Sequence, residues 1–260
     1  MNKITIVDGH LHLGCDPYNF VPKKDIQQLL LCMKTYGIKR AYSCHYKWLL
    51  CRFKEGYESS ISAYQESGGK IPYFGVYTPT DIQASLEYLD KSLKSGGLIG
   101  IKIHPSFHKT YADDPKYLPV WNYAKEYQLP ILSHTWSLTD NPEQKFSLPS
   151  LFTKYLENYQ EVFFVMGHSG GRGNGRKDAV ELAKRFENVY LDIAGDIFCY
   201  NLIPELVGSV GVEKIIFGTD WPWFDPASYL PRIILSSVTD EQKEKILGLN
   251  ALKVYEPNLF

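Results

Sequence analysis

Short apolar, β-branched runs recur along the chain at a nearly regular spacing, at residues 4–7, 40–44, 73–77, 98–103, 130–133, 162–166, 189–193 and 214–217. Their apolar residues are nearly continuous rather than alternating, the pattern of strands buried on both faces. Amphipathic segments lie between them. In 24–36, Ile26, Leu29, Leu30 and Met33 fall at helical spacing, and in 81–94 Ile82, Leu86, Leu89 and Leu93 do the same. Segments 118–126, 148–156, 176–186 and 240–255 repeat the pattern. Each carries charge on the opposite side, as an outer ring of half-buried helices requires. Gly37 and the pair Gly96-Gly97 punctuate helix ends, and Thr239 before Asp240-Glu241 offers a capped start. Alternation of strand and helix predicts a parallel α/β architecture. Eight units favour closure into one (β/α)8 TIM barrel, with an open doubly wound sheet as the rival.

The length of 260 residues supports the same reading, since one α/β barrel takes roughly 250. Residues 1–260 are therefore read as one domain; no linker or low-complexity block divides them. Hydrophobic residues make up 44% and charged residues 22%, ordinary for a soluble globular protein. A net charge of −1, without a basic patch, gives nucleic acid or an anionic membrane nothing to hold. No run is apolar enough to span a bilayer, and the first residues lack a signal-peptide pattern, so the cytoplasm is the expected compartment. The five cysteines, Cys15, Cys32, Cys44, Cys51 and Cys199, are irregularly spaced, which argues against a disulfide framework. Cys32, Cys44 and Cys199 read as buried free thiols; Cys15 is a weaker candidate to line a pocket.

The histidines change the picture. Six of the seven, His10, His12, His45, His104, His134 and His168, fall at or just after the C-terminal end of an expected strand, and only His108 lies further into a loop. That face of a barrel is where catalytic residues gather. In Val7-Asp8-Gly9-His10-Leu11-His12 the two imidazoles are two residues apart on a strand and share a face. Two nitrogens aimed at one point suit a borderline cation such as zinc. Gly9 leaves the approach open, and Asp8 is a candidate partner behind the ligands. A histidine pair alone equally fits simple hydrogen bonding. A lone His134 would equally be a core residue, and a lone Asp220 a turn cap. Five such residues, His10, His12, His134, His168 and Asp220, on strands one, five, six and eight are hard to explain by packing, because a carboxylate buried among imidazoles without a cation is costly.

This set resembles the signature of the amidohydrolase superfamily: H-x-H on strand one, histidines ending strands five and six, and an aspartate ending strand eight. The segments Gly100-Ile101-Lys102-Ile103-His104-Pro105, Asn188-Val189-Tyr190-Leu191-Asp192 and Phe217-Gly218-Thr219-Asp220-Trp221-Pro222 resemble the amidohydrolase-related (amidohydrolase 2) branch. That branch includes aminocarboxymuconate-semialdehyde decarboxylase, resorcylate-type decarboxylases, lactone hydrolases and hydratases. The resemblance implies that His10, His12, His134 and Asp220 hold one divalent ion, Zn2+ first and Mn2+ as the alternative. It further implies that Asp220 relays a proton and that His168 acts as acid/base or polarises the substrate. Lys102 corresponds to the lysine that some branches use to bridge two metals; a buried lysine paired with an acid is its plainer reading.

Candidate substrate contacts are His104, Arg52, Arg172, Trp136 and Trp221. An arginine would meet a carboxylate and the tryptophans would wall a pocket, although each also reads as surface charge or rim packing. Arg176 and Trp223 lie on the same loops. The expected activity is metal-dependent hydrolysis of a C–O or C–N bond in a small, carboxylated substrate such as a lactone, amide or ester. The alternative is a lyase, decarboxylase or hydratase, on the same scaffold; a non-catalytic metal-binding barrel is the third reading. A small molecule is the expected partner, with a homo-oligomer open.

Overall fold

The structure, a computed structural model, describes residues 4–14, 21, 25–138 and 141–259; Cys15 lies outside them. Eight strands are present: β1 (Ile6–Leu13), β2 (Ile38–His45), β3 (Tyr73–Val76), β4 (Leu98–Ile103), β5 (Ile131–His134), β6 (Phe164–Gly167), β7 (Val189–Asp192) and β8 (Ile215–Ile216). They pair in chain order, every neighbour parallel. Bonds between β1 and the segment after β8 bring the circle round. Gly9 N donates to the Phe217 carbonyl at 2.9 Å and His12 N to that of Trp221 at 2.6 Å. The His10 carbonyl accepts from Thr219 N and Asp220 N at 3.2 and 2.9 Å. The architecture is the (β/α)8 TIM barrel that the alternation predicts, and sequential strand order rules out the doubly wound sheet, whose order reverses part-way.

Gly9 serves this closure rather than an approach to metal. A Cβ there would stand 2.6 Å from Ile216 Cγ2 and 2.9 Å from the Phe217 carbonyl oxygen, so only glycine lets the first and last strands meet. Asp8 has the same office: buried, it accepts from Thr219 N at 3.0 Å and from the Thr219 hydroxyl at 2.6 Å. The register of β1 against β2 shifts between Asp8 and Leu11, an irregularity that re-aims the strand beside the site.

The strands are nearly continuous apolar runs because both faces are covered. Outside, Ile101, Ile103, Phe164, Leu191 and Phe217 pack with helix residues such as Trp121 and Ala179. Inside, Phe74, Val76, Leu132, Val165, Tyr190 and Ile216 form one buried cluster. Leu132 and Tyr190 lie two residues before His134 and Asp192, hence on the same strand face. The apolar cluster is thus a floor beneath polar residues at the C-terminal rim.

Several helices depart from expectation. The segment at 148–156 is a 3-10 turn, Pro149–Phe152, running into a short helix, Thr153–Asn158. The last segment is Asp240–Glu244 and Asn250–Tyr255 joined by a π-helical stretch, Lys245–Leu249, behind a full capping box at Thr239. Phe53–Glu66 and Leu202–Val210 are helices that the pattern did not mark. In the first, the buried face includes Gly56 and Ser60, which do not score as apolar. Gly56 lies so close to Trp48 that a Cβ would come within 2.5 Å of its Cβ. Cys32 is partly buried and Cys44 buried, whereas Cys199 is exposed, against expectation.

Candidate metal centre

The C-terminal rim brings together side chains from six strands or the residues just after them. His10 and His12 come from β1, Lys102 from β4, His134 from β5, His168 from the turn after β6, Asp192 from β7 and Asp220 from the turn after β8. A cavity of about 330 Å³ opens over them, lined at its base by His12, Lys102, His104, His134, His168 and Asp220. Potential ligand atoms of His10, His168 and Asp220 all lie within 4.8 Å of one another. Asp220 Oδ1 is 3.2 Å from His12 Nε2 and 4.0 Å from His10 Nε2.

Hydrogen bonds on the far side of each ring fix which nitrogen faces the centre. His10 Nδ1 meets Asp192 Oδ2 at 2.8 Å, His12 Nδ1 the Cys44 carbonyl at 3.2 Å, and His168 Nδ1 the Ala194 carbonyl at 3.0 Å. Carbonyls and carboxylates only accept, so in a neutral ring each Nδ1 carries the proton and each Nε2 presents a lone pair. Burial keeps the His10 and His12 rings neutral: it lowers His12 and brings His10 down to about 4, reinforced for His10 by the Lys102 charge. Burial alone would raise Asp220, but its hydrogen bond to His12 and the neighbouring imidazoles outweigh this and hold it well below the usual carboxylate range. That hydrogen bond needs a proton on His12 Nε2; with the His10 and His12 rings neutral, the carboxylate and the imidazole lone pairs face each other without one. The donor set, imidazole lone pairs around one carboxylate with a carboxylate behind His10, fits a divalent cation.

Backbone geometry at the rim is unusual in the same places. His168 and Asp220 have φ of 61° and 63°, a region sparsely used by residues other than glycine. His168 N donates to Asp192 Oδ1 at 2.7 Å, and Asp220 N to the His10 carbonyl, so each turn is held from a neighbouring strand. Gly195, at φ 77°, must be glycine, because a Cβ would sit 2.3 Å from His168 Nδ1.

His134 stands slightly outside the convergent set. Its Nδ1 lies 3.1 Å from His168 Nε2, its Nε2 lies 3.0 Å from the Gln144 side-chain amide, and its ring stacks on His104 at 4.0 Å. Lys102, buried, places Nζ 2.7 Å from His10 Nε2, and burial lowers its pKa. His104 and Trp136 line the cavity, as expected of substrate contacts. Arg172 pairs with Asp196, itself a lining residue, at 2.7 Å. Arg52 and Trp221 are not brought to the cavity. Arg52 is exposed and paired with Glu55. Trp221 is buried with Leu11, Leu13 and Leu29 behind β1, and Trp223 and Tyr46 wall the cavity instead. Asp192 and Gln144 were not singled out as site residues. Its place in the segment Asn188-Val189-Tyr190-Leu191-Asp192, near the end of an apolar run, was the signal that could have marked Asp192.

The sequence model of the amidohydrolase family matches residues 59–256. The chain belongs to the amidohydrolase family. As a member of it, the protein is an enzyme. Searched against curated proteins, the sequence finds no match. Among solved structures it is similar to 5-carboxyvanillate decarboxylase from Sphingomonas paucimobilis, at 10% identity and a TM-score of 0.74 over 97% of this chain and 99% of that one. It is similar to 4-oxalomesaconate hydratase from Rhodopseudomonas palustris, at 18% identity and a TM-score of 0.72 over 98% and 96%. A dihydroxybenzoic acid decarboxylase from Polaromonas sp. JS666, solved with bound manganese and 2-nitroresorcinol, gives 15% identity and a TM-score of 0.70 over 98% of each chain. At these identities the likeness bears on the fold. Among the described residues no helix is long and apolar enough to cross a membrane.

Proposed function

We propose that this amidohydrolase-family protein is a metal-dependent lyase, a decarboxylase or hydratase acting on a small unsaturated or aromatic acid. The observation that carries the metal part is the convergence of His10, His168 and Asp220, with His12 against Asp220. The lyase part is supported by the decarboxylase and hydratase names of the structural neighbours, which favour it over the hydrolytic reading put first from sequence. One bound divalent ion, manganese or zinc, would supply Lewis acidity to a substrate oxygen.

The chain's own residues do the rest. His10, His12 and Asp220 are proposed as ligands under either account of the site. The third imidazole comes from the His134–His168 pair: the family resemblance names His134, whereas the gathered geometry favours His168, with His134 on the substrate side. Asp220, held as a carboxylate, accepts or delivers the proton at the reacting atom. Trp136, Trp223 and Tyr46 supply flat walls that exclude water and suit a planar substrate. Arg172, at the rim on Asp196, is proposed to meet the substrate carboxylate.

Hydrolysis remains a second reading, because the same donors would serve water attack. A panel of hydroxybenzoates, unsaturated diacids and lactones, offered to the zinc- and manganese-loaded protein, separates them. Release of CO2 or hydration of a double bond supports the lyase, and lactone opening alone replaces it with the hydrolase. No turnover by either metal form across the panel refutes both.

A further inference from the structure

Behind the catalytic cavity, two partly buried arginines have no acidic partner among the described residues, unlike Arg40, Arg172 and Lys214. Arg232 is half-buried and lines a separate cavity of about 600 Å³. Its guanidinium lies over the rings of Phe198 and Tyr229, at 4.6 and 5.9 Å from their centres. Those faces hold the plane of the group and accept nothing from its N–H edges. No hydrogen bond or ion pair to a described residue reaches it, and its Nη2 is enclosed without a partner. Arg176, on the helix Gly173–Arg185, is close enough for its charge to press on Arg232. It donates only to the Cys199 sulfur at 3.2 Å and to the Ile197 carbonyl at 3.3 Å, and its Nε is likewise enclosed and unpartnered. Two guanidiniums that repel each other, with desolvated donors and no carboxylate, are an arrangement completed by an anion.

The cavity says what kind. Ser236 and Ser237 line it with Arg232, and Leu202, Ile203, Pro204 and Leu235 supply an apolar stretch of its wall. We propose that this cavity is a second ligand site, which takes a small molecule bearing an oxyanion, phosphate or carboxylate, on an apolar body. The anion meets Arg232, Arg176 adds its charge from behind the cavity wall, and the apolar part lies on Leu202 and Leu235.

The site is wired to the catalytic rim. The hydroxyl of Tyr229, whose ring lies under Arg232, donates to the Gly195 carbonyl at 2.6 Å. Arg176 holds Ile197, two residues on. Gly195 and Asp196 line the catalytic cavity, and Gly195 abuts His168. An occupant that fixes Arg232 over Tyr229 therefore fixes the loop carrying one catalytic wall. By linkage, substrate in the catalytic cavity and anion in this one must alter each other's affinity by the same factor.

Calorimetric titration of the full-length, metal-free protein tests this with inorganic phosphate, phenyl phosphate and acetate as probes. One saturable site is expected, still present after His12→Ala, which alters the catalytic cavity away from the Gly195 loop, with phenyl phosphate tighter than phosphate because the apolar wall is used. Arg232→Gln should weaken it by about tenfold or more, and Arg176→Gln and Arg232→Lys by about threefold, since the first removes a charge without removing a contact and the second keeps the charge and loses the fork. Acetate tighter than phosphate would assign the group as a carboxylate. Circular dichroism checks each variant's fold; if Arg232→Gln does not fold, Arg176→Gln and Arg232→Lys carry the comparison. Failure of all three probes to saturate, or unchanged affinity in the folded variants, overturns the proposal. None of these readouts depends on the lyase assignment.

Discussion

Replacing Asp192 by asparagine isolates the carboxylate behind the centre. Asp192 Oδ2 accepts from His10 Nδ1 at 2.8 Å, while Oδ1 accepts two backbone N–H groups, from His168 at 2.7 Å and Ala194 at 3.1 Å. Asparagine keeps one oxygen for the two backbone donors and turns an amide N–H toward His10. Two donors then face each other, and His10 relieves the clash by moving its proton to Nε2, the atom proposed to bind the cation. Restoring the ligand tautomer costs the lost charge-assisted hydrogen bond, about 1.5–3 kcal/mol. Metal affinity should therefore fall about 10–100-fold, the range found for partners of ligating histidines. The metal-free fold should change by about 1 kcal/mol or less, because both backbone bonds survive. Competition against a chelator measures the first and urea unfolding the second. A metal dissociation constant within about twofold of the parent's, in a folded protein, refutes the tautomer argument.

Three further outcomes follow from the same geometry. His168→Ala should lower metal affinity by at least about tenfold while His134→Ala leaves it within a few-fold; the reverse order, measured by metal stoichiometry after dialysis, returns His134 to the ligand set. Gly9→Ala should destabilise the protein by about 1–3 kcal/mol, the cost of overpacking a tight contact, because its Cβ would lie 2.6 Å from Ile216; a urea midpoint equal to the parent's would contradict this. The metal-free protein should lose stability as pH falls from 6.5 toward 4. His10 and His45 are each depressed from 6.5 to about 4, chiefly by burial, so the unfolded chain takes up protons first, worth up to about 1.4 kcal/mol per pH unit for each group. Asp8, raised by burial from 3.8 to about 7, works in the opposite sense between those values and offsets one of the two. Equal or greater stability at pH 5 than at pH 7 in urea titrations would show that this balance is wrong.

The barrel was legible because its strands are apolar on both faces and its helices on one, so each of the eight strands lies on or beside its expected run. The helix Phe53–Glu66 escaped because Gly56 and Ser60 pack its inner face through closeness rather than through greasy side chains. Chemistry was legible where residue type and strand end coincide, as at His10, His12 and Asp220. Asp192 looked like any strand-ending acid, since its role lies in two contacts made across strands. Trp221 and Trp223 could not be told apart from sequence. The turn after β8 sends the first behind β1 and the second over the cavity. Arg52 was drawn to Glu55 three residues away on its own helical turn, a local partner that no argument from loop position weighed.

The seam at which β1 meets the residues after β8 has a consequence for biosynthesis. Gly9, His10 and His12 bond there to Phe217, Thr219, Asp220 and Trp221, so the first and last contributors to the proposed cation site are stitched by the peptide groups that shut the ring. A nascent chain still on the ribosome, lacking its final quarter, has the imidazoles of β1 but neither their carboxylate nor the seam. Cation uptake would then report a finished ring, and partly made chains would be passed over.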